Sequence, residues 1–353
     1  MITEAKTRLL AAGVYPSNKV MFALLILTTL LIAPGSQAQR SAQRSIRVKS
    51  SQAALWLEPI DIKTRNLFYG PGGKERQPNG RLTFLEEDMD GTNPKFLVKD
   101  EQGVRWKIKL GPEAQPEVVA TRLLWAVGYF VDEDYYQPQV KVEKLPRLRR
   151  GQKYVSANGM VRGARLERDE KGDKKLGEWD WFNNPYVGTR ELNGLRVMMA
   201  LINNWDPKDV NNSIRPRQGV ARAYYVSDLG SSFGRGGSTL TRTRNKPMDY
   251  ARAKFIHRIN GDKVDFALRT RPSFFMIFYP PYYSRRTRLE LVTKDIPRAD
   301  ALWIGNLLGQ LSPEQIADAF RAGGYTPEQV AGLSKKVCER IAELKDLRFH
   351  GPE

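Results

Sequence analysis

The sequence predicts an α+β fold in two lobes, a small antiparallel-sheet lobe followed by a mainly helical one. Three observations carry that prediction. Strand-like runs follow one another closely at 81–86, 95–99 and 104–110, with turn residues between them. A helical pattern comes next, with Val119, Leu123 and Ala126-Val127 on one face. Two capping boxes, Ser312 with Gln315 and Thr326 with Gln329, then place helices in the C-terminal third. A hydrophobic content of 41% is enough apolar surface for such a chain to build a core and offset its ordering entropy.

The chain opens with Lys6, Arg8 and Lys19 and runs into 21–32, apolar except for two threonines. That run falls short of the ~20 apolar residues a spanning helix needs. It is followed by Gly35, Ser36, Gln37 and Ala38, a small-x-small cleavage pattern, so 1–38 is read as a secretory signal. The protein is therefore expected to be exported, periplasmic or extracellular. Residues 39–52 read as a flexible linker, 53–143 as the sheet lobe, 144–187 as a basic connection and 188–353 as the helical lobe.

Within the first lobe, Asp90-Gly91 and Glu101-Gln102-Gly103 suit the turns of a meander. The helix after it is entered through Pro112 and Pro116 and closed by Gly128, a left-handed C-terminal cap. A strand returns at 135–142. The charge-rich stretch that follows is broken by Gly151, Gly159 and Gly163 and reads as a connection with its own hairpin. Thr189 then caps a helix bearing Leu192, Leu195, Met198-Met199 and Leu201-Ile202, expected to end at Asn204 or Trp205 because Pro207 follows. A short strand at 223–227 and a hairpin across Asn260-Gly261 come next. Pro313 and Pro327 sit where a first helical turn tolerates them.

A net charge of +18, of which +2 lies in the signal, favours anionic partners such as a membrane surface, a polysaccharide or a nucleotide. Nucleic acid is disfavoured, because the C-terminal helices carry Glu314, Asp318, Glu328 and Glu339 and because an exported chain seldom meets DNA. Cys338 is the only cysteine, which excludes an internal disulfide and a zinc-thiolate site. No G-x-x-x-x-G-K-[ST] loop is present, and neither His257 nor His350 sits in a nucleophile context.

The informative stretch is 203–212, Asn-Asn-Trp-Asp-Pro-Lys-Asp-Val-Asn-Asn, between a helix and a strand. Phosphoryl transfer needs a carboxylate near the attacking hydroxyl and an oxygen ligand for the metal that holds the phosphates. Asp206 and Asn211, five residues apart on one loop, can supply both, with Lys208 between them to balance charge. The next strand ends in Asp228-Leu229-Gly230, which can aim a carboxylate at a metal while the backbone turns sharply. The other reading of 206–212 is an ordinary Asx-rich turn. Phe274, Phe275, Phe278, Tyr279, Tyr282 and Tyr283, with Arg285, Arg286 and Arg288 behind them, suit either a stacking surface or a core. The large area such rings bury favours core, as it does for Trp179 and Trp181.

The order of a strand lysine, a helix glutamate, Asp-x-Lys-x-x-Asn after a helix and Asp-Leu-Gly after a strand resembles the protein-kinase-like superfamily. It is most similar to the atypical branches: HipA-like, phosphatidylinositol-kinase-like and secretory-pathway kinases. The resemblance implies a bilobal kinase-like fold in which Asp206 is the catalytic-loop aspartate and Lys208 the loop lysine. Asn211 and Asp228 would hold Mg²⁺ or Mn²⁺, Lys109 would contact the phosphates of ATP or another nucleotide, and Glu117 would be its helix partner. Lys107 shares a strand face with Lys109 by the period of two, and Glu113 competes with Glu117, so both choices stay open at this point. Asn204 and Trp205 stand where the family places histidine and arginine. No G-x-G-x-x-G is present, which leaves the turn at 89–93 as the phosphate cover. The function implied is a monomeric phosphotransferase acting on a protein, lipid or sugar hydroxyl, or else a kinase-fold pseudoenzyme that binds an anionic partner.

Overall fold

The computed structural model of the protein describes residues 51–169, 175–237, 241–270 and 275–348. The signal expected at 1–38, nearly all of the linker expected at 39–52, Phe274, His350 and the side chains of Phe275, Tyr282, Arg285 and Arg286 lie outside that description.

In chain order the elements are β1 (Ser51–Ala54), β2 (Leu82–Asp88), β3 (Lys95–Lys99), β4 (Arg105–Leu110), α1 (Ala114–Ala126), β5 (Asp134–Glu143), β6 (Met160–Asp169), α2 (Arg190–Leu201), β7 (Asn212–Arg217) and β8 (Val220–Val226). They continue with α3 (Pro247–Arg252), β9 (Ile256–Asn260), β10 (Lys263–Phe266), α4 (Phe275–Phe278), α5 (Pro280–Glu290), β11 (Ile296–Pro297), α6 (Arg298–Leu308), α7 (Pro313–Ala322) and α8 (Pro327–Asp346). The architecture is the α+β one expected, a sheet lobe ahead of a helical lobe.

The first lobe closes as a barrel in the order β2-β3-β4-β6-β5. All its pairings are antiparallel except a short parallel contact of β2 with β5, where Leu82 faces Val142. Alternation decides its interior: Trp106 and Ile108 of β4, Phe96 and Val98 of β3 and Ala164 and Leu166 of β6 fill one apolar cluster. Strand β6 falls inside the stretch expected to be a basic connection, so the sheet lobe extends to Asp169. Its alternating charges, Arg162, Arg165 and Glu167, disguise a strand whose inward face is apolar.

Helix α1 ends as the sequence implies. Gly128 is left-handed (φ 98°) and donates to the Trp125 carbonyl, while Tyr129 donates to that of Leu124. A Cβ there would sit 2.2 Å from the Leu57 carbonyl oxygen, so glycine is required on two counts. One face of α1 joins α2, α6, α7 and α8 in the large helical core.

Thr189 caps α2 by accepting from the Leu192 N–H, but the helix stops at Leu201, short of the expected Asn204 or Trp205. Asn203 takes up left-handed backbone (φ 55°) and ends it: its N–H bonds to the Ala200 carbonyl and that of Asn204 to the Met199 carbonyl. Strand β7 was hidden in sequence by Pro216, which is tolerated because β7 is an edge of the β1-β8-β7 sheet. The Asn260-Gly261 hairpin forms, pairing β9 with β10, and both capping boxes are complete. Trp179 and Trp181 are buried in the core. The aromatic run is on the surface rather than in the core at Ile277, Phe278 and Tyr279, which are 73, 66 and 52% exposed, while Tyr283 is half-buried. Among the described residues no helix is long and apolar enough to cross a membrane.

Candidate active site

Strand β4 alternates Trp106, Ile108 and Leu110 into the barrel with Arg105, Lys107 and Lys109 on the opposite face. Both lysines line a cleft of about 810 Å³, and geometry separates them. Lys109 is buried, with its Nζ 2.8 Å from Glu117 Oε2 and 2.6 Å from Asp228 Oδ1. Lys107 reaches Glu167 at 3.8 Å. Glu117 is thus the close partner of Lys109, and Glu113 stands farther off at 3.7 Å. Glu113 is engaged instead by Arg244 and by the side-chain amide of Asn93.

The loop after α2 is fixed from both sides. The Asn203 side chain donates to the Gly234 carbonyl, and Asn204 Oδ1 accepts the Asp206 N–H at 3.0 Å. Asp206 is largely buried, 9% exposed, with Oδ2 2.8 Å from Lys208 Nζ. Asn211 donates its side-chain amide to the Asp206 carbonyl at 3.4 Å, which leaves its amide oxygen as the acceptor it presents. Lys208, Val210 and Asn211 line the cleft, and Asp206 is joined to it through its ion pair with Lys208 rather than as a lining residue. The Asx-turn hydrogen bonds and the cleft-lining arrangement therefore coexist in this loop.

Beside them, β8 delivers Asp228. Its backbone is left-handed (φ 54°), a region aspartate tolerates better than most residues, and the chain turns there out of the sheet. Ser227 N–H bonds to the Asn211 carbonyl at 3.1 Å, which ties the two segments together. Leu229 is wholly buried in the helical core. Gly230 has to be glycine because a Cβ would meet Glu113 Cβ at 2.4 Å.

Alternating charges run from the cleft lining, Glu117, Arg165 and Glu167, into the interior. Arg165 pairs in register with Lys109 across β6 and β4, and its guanidinium lies 3.1 Å from Glu117, 3.5 Å from Asp134 and 2.5 Å from Glu167. Arg122 meets Asp134 at 2.9 Å. Burial pulls the Lys109 ammonium down, but Glu117 and Asp228 outweigh it and hold it above its ordinary value. Burial pushes the Asp228 carboxyl up, and Lys109 more than reverses this, so it stays ionised beside the lysine. Burial raises Glu117 and Asp134, with Arg165 and Lys109 opposing at the first and Arg122 and Arg165 at the second.

Glu167 behaves differently. Burial pushes it up, but Arg165, Lys107 and Arg215 together bring it down to about 2. A carboxyl held lower in the folded chain than in the unfolded one stabilises the fold wherever it is ionised in both. The contribution is complete above the unfolded value of about 4.3 and disappears as pH falls toward the folded one, on the order of 3 kcal/mol in all. Denaturant titrations of wild type and Glu167→Gln should show a stability gap that is constant from pH 6 to 8 and narrows below pH about 4.5. A gap that stays unchanged down to pH about 3.5 would contradict this account.

The turn expected to cover phosphates contributes Asp90, Gly91, Thr92 and Asn93 to the same cleft. Among the described residues no group of three or more His, Cys, Asp and Glu side chains could hold a metal ion. The available pair still suits a magnesium-like ion. Such ions keep several waters and take one or two carboxylates beside substrate phosphates. Asp228, whose side chain is 40% exposed, offers one carboxylate, and the Asn211 amide oxygen offers a second hard donor. Arg165, Glu167 and Asp134 were not singled out from sequence. The alternation of 160–169 was the signal available, and the surrounding charge obscured it.

No protein-family model and no curated protein matches the sequence. Among solved structures the chain is similar to a Helicobacter pylori proinflammatory kinase, CtkA, at 12% identity and a TM-score of 0.44, covering 76% of this chain and 96% of that one. It is also similar to the Golgi casein kinase, at 9% identity and a TM-score of 0.38, and to the same kinase with Mn and ADP bound, at 10% and 0.38. Each of the latter two covers 95% of this chain and 91% of the other.

Proposed function

We propose that the protein is a kinase-like phosphotransferase that moves the terminal phosphoryl group of ATP or another nucleotide to a hydroxyl acceptor. The single observation that carries this reading is Lys109 held between Glu117 and Asp228 at 2.8 and 2.6 Å, in the cleft that Lys208 and Asn211 also line. A buried lysine kept protonated by two carboxylates is a fixed cation suited to orienting phosphates, and Glu117 holds it in place. Asp206 accepts the proton of the attacking hydroxyl as that oxygen bonds to phosphorus and the bond to the leaving phosphate oxygen breaks. Lys208, beside Asp206, offsets charge on the moving group. Mg²⁺ or Mn²⁺ held by Asn211 and Asp228 would draw negative charge off the phosphates. Positioning and electrostatics dominate such a loose transition state, so Asp206 needs no unusual basicity. The acceptor is a protein, lipid or sugar hydroxyl, and a signal at 1–38 would place the reaction outside the inner membrane.

A second reading, a pseudoenzyme that binds an anionic partner, is favoured by one contact. Lys109 already neutralises the carboxylate that a metal would need. Residues 39–353 should be heated with and without nucleotide and Mn²⁺, and incubated with nucleotide labelled in its terminal phosphate. Ligand-dependent stabilisation together with label transfer is the expected result. No stabilisation, together with salt-sensitive binding to anionic vesicles or heparin, would replace it with the second reading.

A further inference from the structure

Trp205 stands immediately before Asp206 and is 2% exposed. Its indole N–H donates to the Thr243 carbonyl at 2.8 Å, and its backbone N–H to the Ser231 carbonyl at 3.3 Å. Two arginines from the segment that supplies Thr243 lie over its ring, Arg242 at 3.8 Å and Arg244 at 4.9 Å from the centroid. A guanidinium over the face of an indole is attracted by the ring quadrupole, most strongly where water is excluded.

Arg244 continues beyond the ring. Its NH1 reaches Glu113, whose side chain is only 4% exposed and so needs a compensating cation. Glu113 opens α1 one turn ahead of Glu117, and the Glu117 N–H bonds to the Glu113 carbonyl at 3.2 Å. Asn245, in left-handed backbone, supports the same end of the helix by donating to Gln115 Oε1 at 3.1 Å, and accepts the Tyr325 hydroxyl at 2.7 Å. Contacts therefore run without a gap from the residue beside Asp206, through Arg244 and Glu113, to the helix that carries Glu117.

We propose that Trp205 and Arg244 are positioning residues, a brace that locks the Asp206 loop to helix α1 and so keeps Glu117 on Lys109. Its consequence for rate rests on the phosphotransferase reading, but the mechanical coupling does not. Arginine suits the role better than lysine because one planar group must stack on the indole and still present an N–H to the carboxylate. Thr243, whose carbonyl holds the indole, is itself fixed: it gives its hydroxyl to Asp249 at 2.7 Å and accepts the Arg235 N–H at 2.9 Å.

The test is amide hydrogen exchange at 113–118 and 204–211 in wild type, Trp205→Leu, Arg244→Met, Arg244→Lys and the Trp205→Leu/Arg244→Met double variant. Trp205→Leu should speed exchange in the first turn of α1 by roughly tenfold, although Trp205 acts there only through Arg244. The double variant should show no further increase at 113–118, and Arg244→Lys should recover part of the protection. In the transfer assay kcat should fall roughly tenfold with the nucleotide KM within about twofold. Should Trp205→Leu fail to fold, Trp205→Phe keeps an aromatic face for the guanidinium, loses the N–H and should give the same pattern in smaller measure. Unchanged exchange in α1, or effects of the two substitutions that simply add, would overturn the brace. Absence of transfer in the wild type would overturn the proposed function and leave the exchange result to decide the brace.

Discussion

Asp228→Asn should lose nucleotide-dependent phosphoryl transfer by about 10²-fold or more while the chain stays folded. The substitution keeps the volume of the side chain and removes its charge, and that charge has two tasks in the proposed reaction. It pairs with Lys109 at 2.6 Å, and its remaining oxygen is offered, with the Asn211 amide oxygen, for a divalent ion. The expected signature has two parts: label transfer drops to background, and the Mn²⁺-nucleotide thermal shift shrinks with it. Asp206→Asn should separate these, losing transfer but retaining the shift, because Asp206 pairs with Lys208 while Lys109 is held by Glu117 and Asp228. Equal transfer by wild type and Asp228→Asn would remove Asp228 from the reaction.

Asp134→Ala should cause the largest loss of stability, about 3–5 kcal/mol, because it strands the buried Arg122 and takes away one of the three carboxylates around Arg165. Asp134 has no exposure, and its Oδ1 accepts from Thr121 Oγ1 and from Arg122 at 2.9 Å each. Arg122 and Arg165 are 1 and 2% exposed, so neither can turn to water when the carboxylate is removed. A fall of roughly 10 °C in Tm is expected. Combining Asp134→Ala with Arg122→Leu should restore part of the loss, since the second change removes the stranded charge. If the double variant is no more stable than Asp134→Ala alone, the cost lies in packing rather than in uncompensated charge. The nucleotide shift should weaken in Asp134→Ala as well, because Arg165 is shared between Asp134 and Glu117.

Features set by neighbours along the chain were legible from residue order. Ser312 with Gln315 and Thr326 with Gln329 make their capping boxes because the partners are three residues apart on one turn. Asp206, Lys208 and Asn211 share a loop for the same reason: a helix and a strand bracket them. Two elements resisted sequence reading because their surroundings invert the usual sense of their residues. Charge in 160–169 suggested solvent, yet Arg165 and Glu167 face a covered cleft, where opposite charges compensate them. The aromatic residues of 274–283 suggested core, yet Phe278 and Tyr279 lie on the surface. A hydropathy pattern records what a side chain prefers, and only the packed chain supplies the partner that overrides the preference.

The sequence by itself determined that this is an α+β chain with a strongly positive charge and that acidic and amide side chains stand ready on the 206–211 loop and at the end of β8. Which lysine meets Asp228, and which glutamate is that lysine's close partner, was decided only by the tertiary structure. Period-two alternation places Lys107 and Lys109 on the same face, and α1 presents both Glu113 and Glu117 toward it, so nothing local separates them. The separation comes from register across β6 and from the closeness of Asp228, a residue 119 positions from Lys109. Contacts that distant in sequence are fixed by the packing of whole elements on one another.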